Sequence, residues 1–120
     1  MQFAVSVLRL VDKLPHTAAG RTVAGQLAAS ATSVAANYRG SCNARSRREF
    51  IAKLGIVVEE ADESACWLGL IDRCAMLPST EVTPVLRESL ELRNIFAKSV
   101  GTARANARLA REAAGRQLTR

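Results

Sequence analysis

Apolar side chains recur every third or fourth residue along most of this chain, a spacing that fits one face of an α-helix and no β-strand. Phe3, Val7, Leu8, Val11 and Leu14 mark a first helix over roughly 3–14. Pro15 stops it, having no amide hydrogen and restricting the residue before it. Thr17 is placed to cap a second helix, whose stripe runs through Val23, Leu27, Ala31, Val34 and Tyr38 and ends near Gly40 to Asn43. Ser46 followed by Glu49 makes a capping box in front of a third helix. Its core stripe is Phe50, Leu54, Val57, Ala61, Ala65, Leu68 and Ala75, stopping before Pro78. Gly55 and Gly69 lie inside it, each costing about 1 kcal/mol relative to Ala, and suggest close approach of another backbone. Thr83 and Pro84 read as the start of a fourth helix carrying Leu86, Leu90 and Phe96 to about Ala105.

Length and composition agree with this reading. A chain of 120 residues predicts one domain, and folding would bury about two thirds of its extended surface. The 48% hydrophobic fraction is Ala, Val, Leu and Ile, with five aromatics, which argues against sandwiches and barrels. The expected fold is all-α, an antiparallel up-and-down four-helix bundle over residues 1–105. Beyond Gly101 nearly every apolar side chain is Ala, so 106–120 is expected as a basic extension, frayed or disordered.

The net charge of +6 is unevenly spread. Residues 1–97 carry eleven Lys and Arg against ten Asp and Glu, whereas 98–120 carry six cations against Glu112 alone. Such a tail is either a solvated segment kept for solubility or an arm that touches phosphates. Cys42, Cys66 and Cys74 are odd in number and lack metal-ligand spacing. Three free buried thiols in a reducing cytoplasm are expected. No basic segment precedes an apolar run at the N-terminus, and the charge-free stretch Thr22 to Tyr38 is short and polar for a bilayer, so neither a secreted nor a membrane protein is expected.

Two helices carry more apolar surface than one bundle needs. Ile56, Trp67, Leu70 and Cys74 fall within a sector of about 60° on the third helix, opposite its core stripe. The second helix has no charge on any side from Thr22 to Tyr38. Either a tight core surrounds the second helix and Trp67 lies flat on the surface, or these faces pack against copies of the same chain.

Catalytic constellations are absent. Glu59, Glu60, Asp62 and Glu63 cluster, but a ferritin-like metal site needs Glu-x-x-His motifs, and the one histidine, His16, sits in a turn. No nucleophile motif accompanies it, and Gly20 and Gly25 lack Walker spacing and its Lys. Neither an enzyme nor a cofactor is expected. Arg39, Arg45, Arg47, Arg48 and Lys53 surround one turn with Glu49 alone opposing, at a helix start where free amides also favour anions. Two readings apply: a solvated or intersubunit salt-bridged cluster, or contact with RNA or DNA phosphates, with Arg104, Arg108 and Arg111 contributing from the tail.

The stretch from about Phe3 to Leu77 resembles the four-helix-bundle proteins encoded in intervening sequences of bacterial 23S rRNA genes. The resemblance runs through Leu14-Pro15, Gln26-Leu27 with Ser30 and Ser33, Asn37-Tyr38-Arg39, Ser46 with Glu49-Phe50, Lys53-Leu54-Gly55, Glu59 to Glu63, and Trp67-Leu68. It implies a left-handed antiparallel bundle and ring-shaped pentamers. Related accessory proteins of diversity-generating retroelements are pentameric bundles that bind nucleic acid and a reverse transcriptase, so the resemblance also implies nucleic-acid scaffolding, a partner protein being the competing role. After Asn37-Tyr38-Arg39 the family usually has an acidic residue where this chain has Gly40. The last fifteen residues lie outside the resemblance.

Overall fold

The computed structural model describes residues 1–118. It contains four helices and, among the described residues, no strand: α1 (Gln2–Val11), α2 (Ala18–Cys42), α3 (Arg47–Arg73) and α4 (Ser79–Leu118). α1 and α3 each pack against both α2 and α4, and neither diagonal pair is in contact through its backbone. Helices consecutive in sequence are therefore neighbours in space, which is the all-α four-helix bundle expected from the periodicity.

Two helix starts follow the polar side chains that precede them. Thr17 Oγ1 accepts the Gly20 amide at 3.1 Å, and Ser46 Oγ accepts the Glu49 amide at 3.0 Å. The Glu49 carboxylate reaches back one residue further than a standard capping box, accepting the Arg45 amide at 3.3 Å.

Three boundaries differ from expectation. α1 ends at Val11, three residues early, although Leu14 stays in the core at 3% exposure. α3 ends at Arg73, because Ala75 adopts the left-handed conformation (φ 51°). The Met76 amide then donates to the Ile71 carbonyl at 3.0 Å and the Ala75 amide to Asp72 at 3.1 Å. This is a Schellman cap with Ala where Gly is usual, so Ala75 is exposed rather than part of the core stripe. α4 starts at Ser79, with the Pro78 carbonyl accepting the Glu81 amide at 2.9 Å, and Pro84 lies inside the helix near its start.

The larger difference is at the other end of α4. No helix end occurs at Ala105, and 106–118 continue the helix as an exposed rod, while residues 119 and 120 lie outside the described residues. Ala, Arg, Leu and Glu are strong helix formers, and extending an existing helix requires no new nucleus. The molecule measures 67 × 22 × 22 Å. Its accessible surface is 7591 Å², against roughly 6,300 Å² for a compact chain of this mass.

The core follows the expected stripes in α2 and α3, with Leu27, Val34, Val57 and Leu68 fully buried. In α1 the buried arc is Phe3, Val7 and Leu10, continued by Leu14 in the turn after it, so Leu10 replaces Leu8, which is 43% exposed. Past the N-terminal end of α1, Tyr38 and Phe96 meet across the diagonal with ring centroids 5.4 Å apart, leaving Tyr38 partly in water. All three cysteines are free and exposed, contrary to the expected burial, because Cys42 and Cys74 stand at helix ends and Cys66 faces away from the core.

Between the apolar layers lies a seam of serines. Ser30 Oγ and Ser64 Oγ are 2.7 Å apart across α2 and α3, and Ser89 Oγ donates to the Ala61 carbonyl at 2.6 Å across α4 and α3. Ser64 also donates to the Glu60 carbonyl at 2.8 Å. Small side chains let the helices approach while every buried hydroxyl keeps a partner. Gly55 and Gly69, by contrast, face open space, and a Cβ at either would touch nothing within the chain. Gly20 is where the backbone is close, since a Cβ there would collide with the Pro15 carbonyl. Gly20→Ala is expected to lower stability by about 1–3 kcal/mol, as overpacking does, measured as a reduced urea midpoint at unchanged slope.

Candidate functional site

α4 runs antiparallel to α3, with Arg93 bonded to Asp62 at 2.8 Å. Because α4 is the longer helix, its last turns pass the N-terminus of α3 and extend beyond it. Arg47, Arg48 and Arg111 thereby line one open depression of about 610 Å³, floored by Ile51, Ala107, Ala110 and Ala114. A second depression of about 480 Å³ adjoins it, sharing Ile51, Ala107 and Arg111 and adding Arg104 and Arg108. Arg104, Arg108 and Arg111 occupy positions i, i+4 and i+7, a sector of about 60° on one flank of α4. Five guanidinium groups from segments about sixty residues apart thus line one seam.

All five arginines are exposed. Among the described residues the acid paired with this set is Glu112, 3.8 Å from Arg108. Both side chains of that pair are more than half exposed, so it holds Arg108 weakly. Ser46 Oγ takes the first-turn amide of Glu49, and the Glu49 carboxylate, bonded to the Arg45 amide, places a negative charge at that end of α3. Side-chain charge, rather than the helix terminus, makes the seam cationic.

The other cations proposed from sequence lie elsewhere. Arg39 lines a separate groove on α2 with Met1, Tyr38 and Cys42. Lys53 lays its methylenes over Gly40, where a Cβ would stand 3.3 Å from Lys53 Cδ. An acidic residue at position 40 would stand beside Lys53, so glycine here removes a pairing partner for that ammonium. Arg45 is exposed in the α2–α3 turn, its amide held by Glu49.

On α3, Ile56 is 37% and Leu70 40% exposed. Trp67 between them is half-buried against the core, its Nε1 donating to Glu63 Oε1 at 3.5 Å. Cys74 caps the end of this face. Carboxylates share it: burial first, then Glu63 and Glu59, push the Glu60 carboxyl above its usual range. Sequence reading missed a second apolar stripe, Met1, Val5 and Leu8 on α1, each about 40% exposed. Its signal was present, for the three stand at i, i+4 and i+7 while α1 has only two helices to face. Among the described residues no group of three or more His, Cys, Asp or Glu is placed to hold a metal ion, and no helix is long and apolar enough to cross a membrane.

Comparison with known proteins places this architecture. The family model for 23S rRNA-intervening sequence proteins matches residues 1–98. The chain belongs to the 23S rRNA-intervening sequence protein family. A crystal structure of a protein of unknown function from the S23 ribosomal protein family of Bacteroides thetaiotaomicron VPI-5482 superposes with a TM-score of 0.76 at 29% identity. The match covers 82% of this chain and 92% of that one. No curated protein matches. In this 23S rRNA-intervening sequence protein the α3 wall of the seam, with Arg47 and Arg48, lies inside the family match, whereas Arg104, Arg108 and Arg111 follow it.

Proposed function

We propose that this 23S rRNA-intervening sequence protein is a non-catalytic, self-associating cytoplasmic scaffold that binds nucleic acid through phosphate contacts. The observation that carries this reading is the convergence of Arg47 and Arg48 with Arg104, Arg108 and Arg111 on one seam. Holding like charges together is unfavourable in the free protein, and a polyanion relieves it while releasing its own counterions. Self-association is supported by a second observation. The exposed apolar stripes lie on α1 and α3, which are diagonal in the bundle and unlike in composition. Two different patches on opposite sides cannot both be met by one two-fold dimer contact; a head-to-tail contact uses both, and where the rotation between subunits closes it forms a ring. A pentamer is the ring size proposed, and repetition of the seam on each subunit adds avidity. Three exposed, unbridged thiols accord with a reducing compartment.

The test is fluorescence anisotropy of labelled RNA and DNA oligonucleotides with the full chain across a salt series. Log affinity is expected to fall linearly with log salt, by about 0.7–0.9 per phosphate neutralised. Arg104→Gln/Arg108→Gln/Arg111→Gln is expected to flatten that slope by about 2–3 while circular dichroism and oligomeric mass stay unchanged. No salt-sensitive binding by the intact protein at low ionic strength would reject this reading in favour of a protein-interaction module.

A further inference from the structure

We infer that the arginine seam takes double-stranded nucleic acid in preference to a single strand, an inference that rests on the phosphate-binding reading above.

The first ground is what lines the seam. Its floor is Ile51 and alanines, and its walls are arginines. Binding of single strands without regard to sequence relies on aromatic rings over which unpaired bases stack. None of this chain's rings is placed to serve. Phe3 is buried, Tyr38 and Phe96 are engaged with each other, and Phe50 lines a different depression with Ile95 and Thr102. Trp67 is sixteen residues along α3 from Ile51, about 24 Å by helical rise. The floor also lacks amide or hydroxyl side chains to read base edges. Unpaired bases laid on it would find guanidinium donors at the walls but no side-chain acceptor and no ring beneath them, whereas a duplex keeps its bases paired inside and offers phosphates outward.

The second ground is the placement of the charges. Three arginines run along about 10.5 Å of α4, and Arg47 and Arg48 on α3 share the first depression with Arg111, so cations from both helices flank its floor. One strand satisfies one wall. A duplex brings two backbones and twice the charge per unit length, one negative charge per ~1.7 Å against ~3.4 Å for one strand. Because helices hold these arginines at fixed spacing, the preference is set by backbone geometry and does not depend on sequence.

The experiment compares two complementary labelled 20-nucleotide DNA strands, their duplex, and an RNA duplex of the same sequence, each titrated with the full chain between 50 and 200 mM salt. The duplexes are expected to bind at least about tenfold more tightly than either strand. The fourfold rise in salt is expected to cost about 500-fold for a duplex that neutralises five phosphates and about 18-fold for a single strand that neutralises the three facing α4. Equal affinity for the two duplexes supports recognition of paired strands whatever the backbone form, and a preference for one supports duplex recognition and says which form is favoured. Arg47→Gln/Arg48→Gln, which removes one wall, is expected to bring the duplex-to-strand ratio towards one with helicity intact. A strand that binds as tightly as its duplex, or a ratio unmoved by that variant, overturns this inference and leaves phosphate binding standing. Absence of binding to all four probes overturns both.

Discussion

Leu68→Ala is expected to lower the free energy of unfolding by about 2–5 kcal/mol, the cost of deleting a large side chain from a site that cannot collapse around the loss. Leu68 is fully buried in the C-terminal part of α3, where it belongs to the core cluster with Leu27, Val34 and Ile71. Phe50→Ala is expected to cost less, because that ring is half-buried and lines an open depression beside α4. Guanidinium unfolding at fixed protein concentration checks both, the concentration being held because association adds to apparent stability. A loss below about 1 kcal/mol for Leu68→Ala would contradict the core described here.

On the self-association proposed above, Trp67→Glu is expected to shift the protein to a 12.9 kDa monomer in light scattering. The substitution adds a carboxylate to an apolar face already holding Glu59, Glu60 and Glu63, where a further charge would have to be stripped of water on association. Trp67 also packs on the core, so Leu70→Glu is the cleaner companion: Leu70 is 40% exposed and its replacement can enter water in the free subunit. Both variants should release the contact, and Leu70→Glu should do so at full helicity. A parent protein that is monomeric at micromolar concentration would remove the ring.

What the amino-acid sequence disclosed about this molecule was the part written in side-chain type. Thr17 and Ser46 announce their helices because an oxygen at that position has a free amide to accept. The stripes of α2 and α3 are legible because each helix has two neighbours that bury one broad arc. The end of α3 was not legible, since its Schellman cap uses Ala75, a residue whose preference is helical. The reach of α4 was missed for the opposite reason: 106–118 carry almost no apolar stripe, and their helix rests on backbone propensity continuing from a packed segment. That length also decided the site. Arg47 and Arg48 could be named as candidates from their local setting, and so could Arg104, Arg108 and Arg111. Their meeting on one seam depends on α4 overshooting the start of α3, a property of relative helix lengths and register.

The contact between α1 and α4 has a consequence for how the chain comes off the ribosome. α1 is the first of the four helices to be made, and one of its two partners is the last. At about 5–20 residues per second, several seconds separate their synthesis. A ten-residue helix is below the length that holds itself together in water, so through that interval α1 has only α2 to order it. The hairpin of α2 and α3, joined by the buried serine pair, can form while α4 is still inside the exit tunnel. Closure of the bundle therefore waits for the last of the four helices, with Val7 and Leu10 left incompletely covered until Val82 and Val85 emerge to meet the cluster they complete.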